Sequence, residues 1–440
     1  MAVVTTGTTA DVELSDQTTT TLNEVDAANT SQHKHAHKHH DFGPHPDGGL
    51  KAWLVAAGGG TVFFCCLGFT NSFGAFEAYY LTHQLSHKTP DDVAWIGSLA
   101  AFLMFAVGML AGPLFDRFGA KVILPSAVFY VFAMMMLSLC KTYWEIMLVQ
   151  GVLLGVLMGL LQIPVMAAIT HWFHKKRGLA LGLVVAGSSL GGVVIPIAIS
   201  TMLNSTNLGY GWTVRIIGFI MMPLLAFSCL TIKTRIPPRK VSFWSPEIFK
   251  NKEFLVLVAA ILFMFMGMYM PIFYIPTYAK TRGMNATMAG YLLAILNAAS
   301  FFGRVLPGIV ADKYGRINVF AVGGITTSVI VFCFNEARSN AALIVYSVFF
   351  GFWSGIIISG ASTVLSVCTH DLQKIGTYMG WGLFIASFGT LIGPPINGVF
   401  IDEYGGFFPV AMFSGASTLF GGILAVVAKF LTPEGIFGKT

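Results

Sequence analysis

Between Trp53 and Leu431 the chain alternates long apolar runs with short polar turns. The runs fall at about 53–80, 93–115, 122–139, 143–172, 178–203, 212–232, 254–278, 287–311, 317–334, 342–368, 375–400 and 407–431. Each is close to or above the ~20 residues a helix needs to cross the hydrocarbon of a bilayer. Backbone inside a bilayer must satisfy its own hydrogen bonds, so every run predicts a helix. The expected fold is an all-α polytopic membrane protein with twelve transmembrane helices.

One arginine breaks this pattern. Arg304 lies deep in the run that begins near Ala286, within Asn297-Ala-Ala-Ser-Phe-Phe-Gly-Arg304-Val-Leu-Pro-Gly308. An arginine at mid-bilayer is unfavourable by about 2.5–3.5 kcal/mol on insertion scales. A penalty of that size directs the side chain toward a cavity or a partner and away from lipid. The residue is therefore a candidate for binding an anionic solute, the alternative being a structural arginine on backbone carbonyls.

Composition agrees with the membrane reading. The 440 residues are 55% hydrophobic and 10% charged, against ~25% charged in soluble domains, and the mean hydropathy is +0.72. The formal net charge of +6 calls for no nucleic acid if basic side chains line one membrane face. Fourteen lysines and arginines (Arg117, Lys121, Lys175, Lys176, Arg177, Lys233, Arg235, Arg239, Lys240, Lys250, Lys252, Lys313, Arg316, Lys374) fall on one side, and five (Lys88, Lys141, Lys280, Arg282, Arg338) on the other. That bias predicts both termini in the cytoplasm. The sequons at Asn204 and Asn285 then face outward as candidate glycosylation sites, whereas Asn29 faces inward.

Residues 1–46 are polar and aperiodic, and are expected to be a disordered cytoplasmic tail without a signal peptide. Their histidines (His33, His35, His37, His39, His40, His45) are crowded enough to attract zinc or copper. Lacking a scaffold, they read better as a solvated tail. Cys65, Cys66, Cys140, Cys229, Cys333 and Cys368 read as small apolar residues inside spans. No cofactor and no resident metal are expected.

An internal repeat divides the rest. Gly112-Pro-Leu-Phe-Asp116-Arg117-Phe-Gly119-Ala-Lys121 recurs as Gly308-Ile-Val-Ala-Asp312-Lys-Tyr-Gly315-Arg316, offset by 196 for the first glycine (308 − 112). Gly178, Gly182, Gly191 and Pro196 recur as Gly376, Gly380, Gly389 and Pro394, offset by 198 (376 − 178). The expected organisation is one six-helix bundle over 47–232, a cytoplasmic connector over 233–253, a second bundle over 254–432 and a short tail over 433–440. Repeats of this kind place a site between the halves, which rock around it.

These loops make the chain resemble the major facilitator superfamily. Asp47-Gly-Gly-Leu-Lys-Ala-Trp53 is similar to the approach to the first span in the monocarboxylate transporter family, and Gly68 to Tyr80 resembles its fungal branch. Arg304, before Pro307-Gly308, matches that family's span-eight arginine, which the resemblance implies pairs with a substrate carboxylate. Two departures stand out: Ala75 where mammalian-type members carry a lysine, and Ser300 where they carry an aspartate. Lactate–proton symport is therefore not carried over.

The loops have a physical task. The resemblance implies that Asp116 faces the N-terminus of span eleven and Asp312 that of span five. The positive end of a helix dipole favours a carboxylate by ~0.3–2 kcal/mol. With Gly112, Arg117, Gly119, Lys121, Gly308, Gly315 and Arg316 they are the candidate gating loops. The candidate substrate-binding residues are Arg304, Asn297, Ser300, Asn71, Gln162, Tyr274 and Trp353. Each of the polar ones has a competing role in helix–helix hydrogen bonding.

No His-Glu-x-x-His, Gly-x-Ser-x-Gly or phosphate-loop motif is present, so no enzyme or ATP-driven pump is expected. The expected function is a monomeric, multi-pass transporter, most simply of the plasma membrane. It moves a small organic solute, a monocarboxylate-like anion or fungal metabolite, with or without a proton. A riboflavin-type uptake carrier, a secondary-metabolite exporter and a non-transporting nutrient sensor are the alternatives.

Overall fold

The computed structural model describes residues 46–205, 208–237, 246–369 and 371–432, with residues 2 and 435 besides. The His-rich tail, Asn29, Arg239, Lys240 and the side chain of Asn204 lie outside the described residues. Residues 45–440 form one compact unit.

Among the described residues, twelve helical crossings are found in that unit. They are α1 (Leu50–Asn71, continued by Phe73–Thr82), α2 (Pro90–Ala106, continued by Gly108–Phe118), α3 (Ile123–Leu137), α4 (Tyr143–Ile146, Met147–Leu153 and Leu154–Trp172), α5 (Arg177–Ser205), α6 (Gly209–Thr231), α7 (Lys252–Thr281), α8 (Ala286–Tyr314), α9 (Arg316–Phe332), α10 (Asn340–Leu365), α11 (Ile375–Tyr404) and α12 (Phe408–Leu431). By length and hydropathy alone eleven segments qualify as spans among the described residues, because 92–137 runs on as one. A straight helix of that length would reach about 69 Å, twice the hydrocarbon thickness. It turns back at Gly119, whose φ of 65° suits a residue without a Cβ.

Polar side chains sit at two irregular turns of the long helices. Ser72 Oγ donates to the Gly68 carbonyl at 2.8 Å, and α1 breaks there, as serine back-bonding tends to do. In α4 the stretch Met147–Leu153 is wound as a π-helix. It holds Gln150, whose Oε1 accepts from the buried Tyr80 hydroxyl at 2.7 Å. One cysteine departs from expectation: Cys368 is buried but follows the end of α10, whereas Cys333, exposed, lies within the candidate span Arg316–Glu336. There α10 stops at Leu365, short of the apolar run that reaches 368.

Two close helix crossings organise the interior. α5 lies along α8, and α2 lies along α11. Each is a backbone-to-backbone approach at glycines. A Cβ on Gly178 would strike the Gly308 carbonyl, and one on Gly376 the Gly112 carbonyl. One turn further, Gly182 lies against the Arg304 carbonyl and Gly380 against the Gly108 carbonyl. The crossings use the same registers, offset by 196 and 198. Small residues that let helices approach this closely are the usual solution inside a bilayer, where apolar burial gives no net drive.

Candidate functional site

At the end of the bundle that carries most of the lysines and arginines, each crossing finishes on a carboxylate. Asp116, on α2, accepts from the backbone of Gly376 at 3.1 Å and of Thr377 at 2.7 Å, and from the Thr377 hydroxyl. Asp312, on α8, accepts from the backbone of Gly178 at 2.8 Å and of Leu179 at 2.9 Å. Both thus satisfy free N–H groups at a helix N-terminus and face the positive end of its dipole. The third partner differs. Asp116 has the Thr377 hydroxyl, whereas Asp312 has Arg316 Nε at 3.5 Å.

Further contacts close this end. Arg177 Nη1 on α5 donates to the Ser366 carbonyl beyond α10 at 3.0 Å, His171 Nε2 lies 3.3 Å from the Leu372 carbonyl, and Arg316 Nη2 donates to the His174 carbonyl. Of the other loop residues, Arg117 stacks on Phe118, while Lys121 lies in the 3-10 turn after α2. Gly315, with φ 100°, starts α9 after the turn.

Deeper, Arg304 is 4% exposed. It meets the facing helix: Nη1 donates to the Val185 carbonyl at 2.9 Å and to the Ser188 hydroxyl. Its Nε and the Ser300 Oγ have no hydrogen-bond partner among the described residues. Tyr269 on α7 lies within electrostatic reach of the guanidinium and close to Thr390 on α11. Tyr269 also lies in a row of rings that runs from Phe105 on α2 through Phe265 and Tyr269 to Phe273, with centroids 5.9, 5.9 and 6.1 Å apart.

The repeat sharpens the meaning of this arginine. Its counterpart 196 residues earlier is Gly108, which makes the same close approach at the α2–α11 crossing. The crossing geometry therefore does not need an arginine. Among the described residues its guanidinium meets two acceptors through Nη1, leaves Nε without a partner and is paired with no carboxylate. Such a group can bind an anionic oxygen.

The candidate residues gather only in part. Asn297 and Asn71 both reach Gly192 on α5, about 10 Å along α8 from Arg304 at 1.5 Å per residue. With Ser300 and Arg304 they make a polar strip along one face of α8. Gln162 is buried in α4 with its Nε2 unpartnered among the described residues. Tyr274 is not drawn into this group: its hydroxyl donates to the Pro394 carbonyl at 3.0 Å. Trp353 is half-buried on α10 and packs on Phe352. Tyr269, Ser188 and Thr390 were not singled out from the sequence. The Ser188-Ser189 pair in the middle of an apolar run was the available signal. Among the described residues no group of metal-ligating side chains occurs.

Comparison with known proteins adds the following. The Major Facilitator Superfamily model matches residues 59–334 and 287–437. The aspyridones efflux protein apdF of Emericella nidulans is 46% identical over 89% of this chain and 80% of its own length. The MFS-type transporter pynF of Aspergillus niger is 38% identical over 89% and 91%, and the agnestins efflux protein AgnL12 of Paecilomyces divaricatus is 36% identical over 88% and 90%. These are fungal efflux and superfamily-type transporters; none of the three is named a monocarboxylate porter. Among solved structures, the human organic anion transporter MFSD10 superposes with a TM-score of 0.69 at 12% identity, over 86% of this chain and all of that one. That likeness is one of fold alone.

Proposed function

The chain belongs to the Major Facilitator Superfamily and is a membrane transporter, and we propose that it exports an acidic fungal metabolite by alternating access. The observation that carries the substrate class is Arg304: buried, with its Nε unpartnered and no acid paired with it among the described residues, and placed where the other half of the repeat has glycine. The monocarboxylate resemblance enters only through this residue. Ser300 Oγ and the Asn71–Asn297 pair supply neutral hydrogen-bonding groups further along α8, and the row Phe105, Phe265, Tyr269 suits an apolar or aromatic body. The direction of transport is inferred from the relatives named as efflux proteins. We place the basic end in the cytoplasm on the lysine and arginine bias. In this arrangement the Asp116 and Asp312 contacts are two gates, shut here, that open to admit cargo from the cytoplasm.

The test uses inside-out vesicles with an imposed pH gradient, a panel of acidic fungal metabolites and their neutral methylated forms. The acids are expected to accumulate and the methylated forms are not. Arg304→Lys keeps the charge but loses the planar fork, and should raise KM about tenfold or more, the scale of one charge-assisted hydrogen bond. Ser300→Asp should also raise it, by giving the guanidinium an internal partner. Equal carriage of acid and methylated form, or a parental KM in the lysine variant, would refute the substrate class.

A further inference from the structure

The two gates differ in what holds the turn in front of each helix. Before α11 the acid that holds the turn comes from the turn itself, while Gln373 Nε2 donates to the Pro237 carbonyl and Lys374 pairs with Glu247, each at 3.2 Å. Gln373 donates its backbone N–H to Asp371 Oδ1 at 3.0 Å, and Asp371 donates its own to the Thr369 hydroxyl at 3.2 Å. Shifted back by 198, the position of Asp371 is Phe173. Phe173 is fully buried against Trp53, 5.1 Å between ring centres, and its side chain has no oxygen to offer.

An acid arrives from elsewhere. Asp47, three residues before α1, turns its Oδ1 onto three successive amides of that turn: His174 at 2.6 Å, Lys175 at 2.7 Å and Lys176 at 3.4 Å. Its own N–H donates to the Trp172 carbonyl at 3.2 Å. Asp47 has φ 46°, the one positive value at a non-glycine among the described residues. A backbone conformation of that kind persists only where surrounding contacts over-determine it. The turn it holds leads directly to the gate. The His174 carbonyl accepts from Arg316, Arg316 pairs with Asp312, and Asp312 caps Gly178 and Leu179. Asp47 is also within electrostatic reach of Arg177 and Arg316.

We propose that Asp47 is a positioning residue for the α5–α8 gate, so that the segment leading into α1 sets the strength of one gate and leaves the α2–α11 gate to itself. The inference rests on the two-gate reading above. Two probe cysteines separate the gates. Thr363→Cys lines the cleft behind Gly178 and Arg316, and Ile236→Cys lines the one beside Asp116 and Gln373. Each is labelled with a membrane-impermeant maleimide in inside-out vesicles, against the full chain without the added cysteine. Asp47→Ala should speed labelling at Thr363→Cys about tenfold, a factor that corresponds to about 1.4 kcal/mol, with Ile236→Cys unchanged. Asp47→Asn keeps an oxygen acceptor for the three amides and should restore most of the protection, which a merely destabilised chain would not show. Asp312→Asn is the control for the gate itself. If Asp312→Asn speeds labelling and Asp47→Ala does not, the role of Asp47 is refuted and the gates stand. If Asp47→Ala speeds both probes alike, its effect is global and the proposal falls. If Asp312→Asn also has no effect, both readings fall.

Discussion

Replacing a gate carboxylate by its amide is the most direct way to weigh the closed end. Asp116 accepts two backbone N–H bonds at 3.1 and 2.7 Å and a third bond from the Thr377 hydroxyl. Asparagine is nearly isosteric, but its Nδ2 would point a donor at donors. At least one hydrogen bond to a charged group is lost, worth ~1.5–3 kcal/mol, together with a helix-dipole contribution of up to ~2 kcal/mol. A loss of about 2–3 kcal/mol from the closed state alone shifts the closed-to-open ratio by roughly 30–150-fold, at ~1.4 kcal/mol per decade. Asp312→Asn should do more. It removes caps at 2.8 and 2.9 Å and also the carboxylate beside Arg316, whose guanidinium sits in the interface with little exposure. A charge stranded in such a place is strongly destabilising to the state that strands it. The assay is maleimide accessibility at the basic end, paired with transport in the same vesicles. Both variants should be present in the membrane, label faster and turn over more slowly, because each stabilising contact exists in only one of the exchanging states. Parental labelling and parental transport in both variants would refute the reasoning.

Two further outcomes are expected. Gly182→Val drives a side chain into the Arg304 carbonyl, a backbone atom that cannot yield alone; overpacking of ~1–3 kcal/mol should lower the detergent Tm, whereas Gly290→Ala, with open space around it, should not. Asn285 is exposed at the start of α8, at the end opposite the gates. Asn285→Gln should therefore remove a glycoform from gels of protein made in a eukaryotic host, and a glycan retained on residues 1–46 would overturn the orientation.

What the sequence discloses follows the range of the physics involved. Spans were legible because the bilayer imposes their length, and Arg304 because a guanidinium in an apolar run is costly wherever its neighbours lie. The repeated Asp and Gly spacing was legible because a tight turn and a close crossing each leave a residue-level mark twice. Partners were another matter. Ser188 and Val185 meet Arg304 through the α5–α8 crossing, and Tyr269 approaches from α7; no local pattern encodes a crossing angle. Tyr274 was a reasonable candidate as a polar aromatic in span seven, yet its hydroxyl goes to the Pro394 carbonyl. Asp47 is marked in the sequence only by the resemblance of residues 47–53, since its three amide contacts lie 127 to 129 positions away in the chain. The comparison between the two halves recovers part of what single positions hide. At the shared crossings the glycines answer one another, 178 with 376 and 308 with 112, so those positions are set by packing. At Arg304 against Gly108, and at Phe173 against Asp371, they do not. At such places the two halves do different work, Phe173 packing on Trp53 where Asp371 holds its own turn, and it is there that the search for cargo and control belongs.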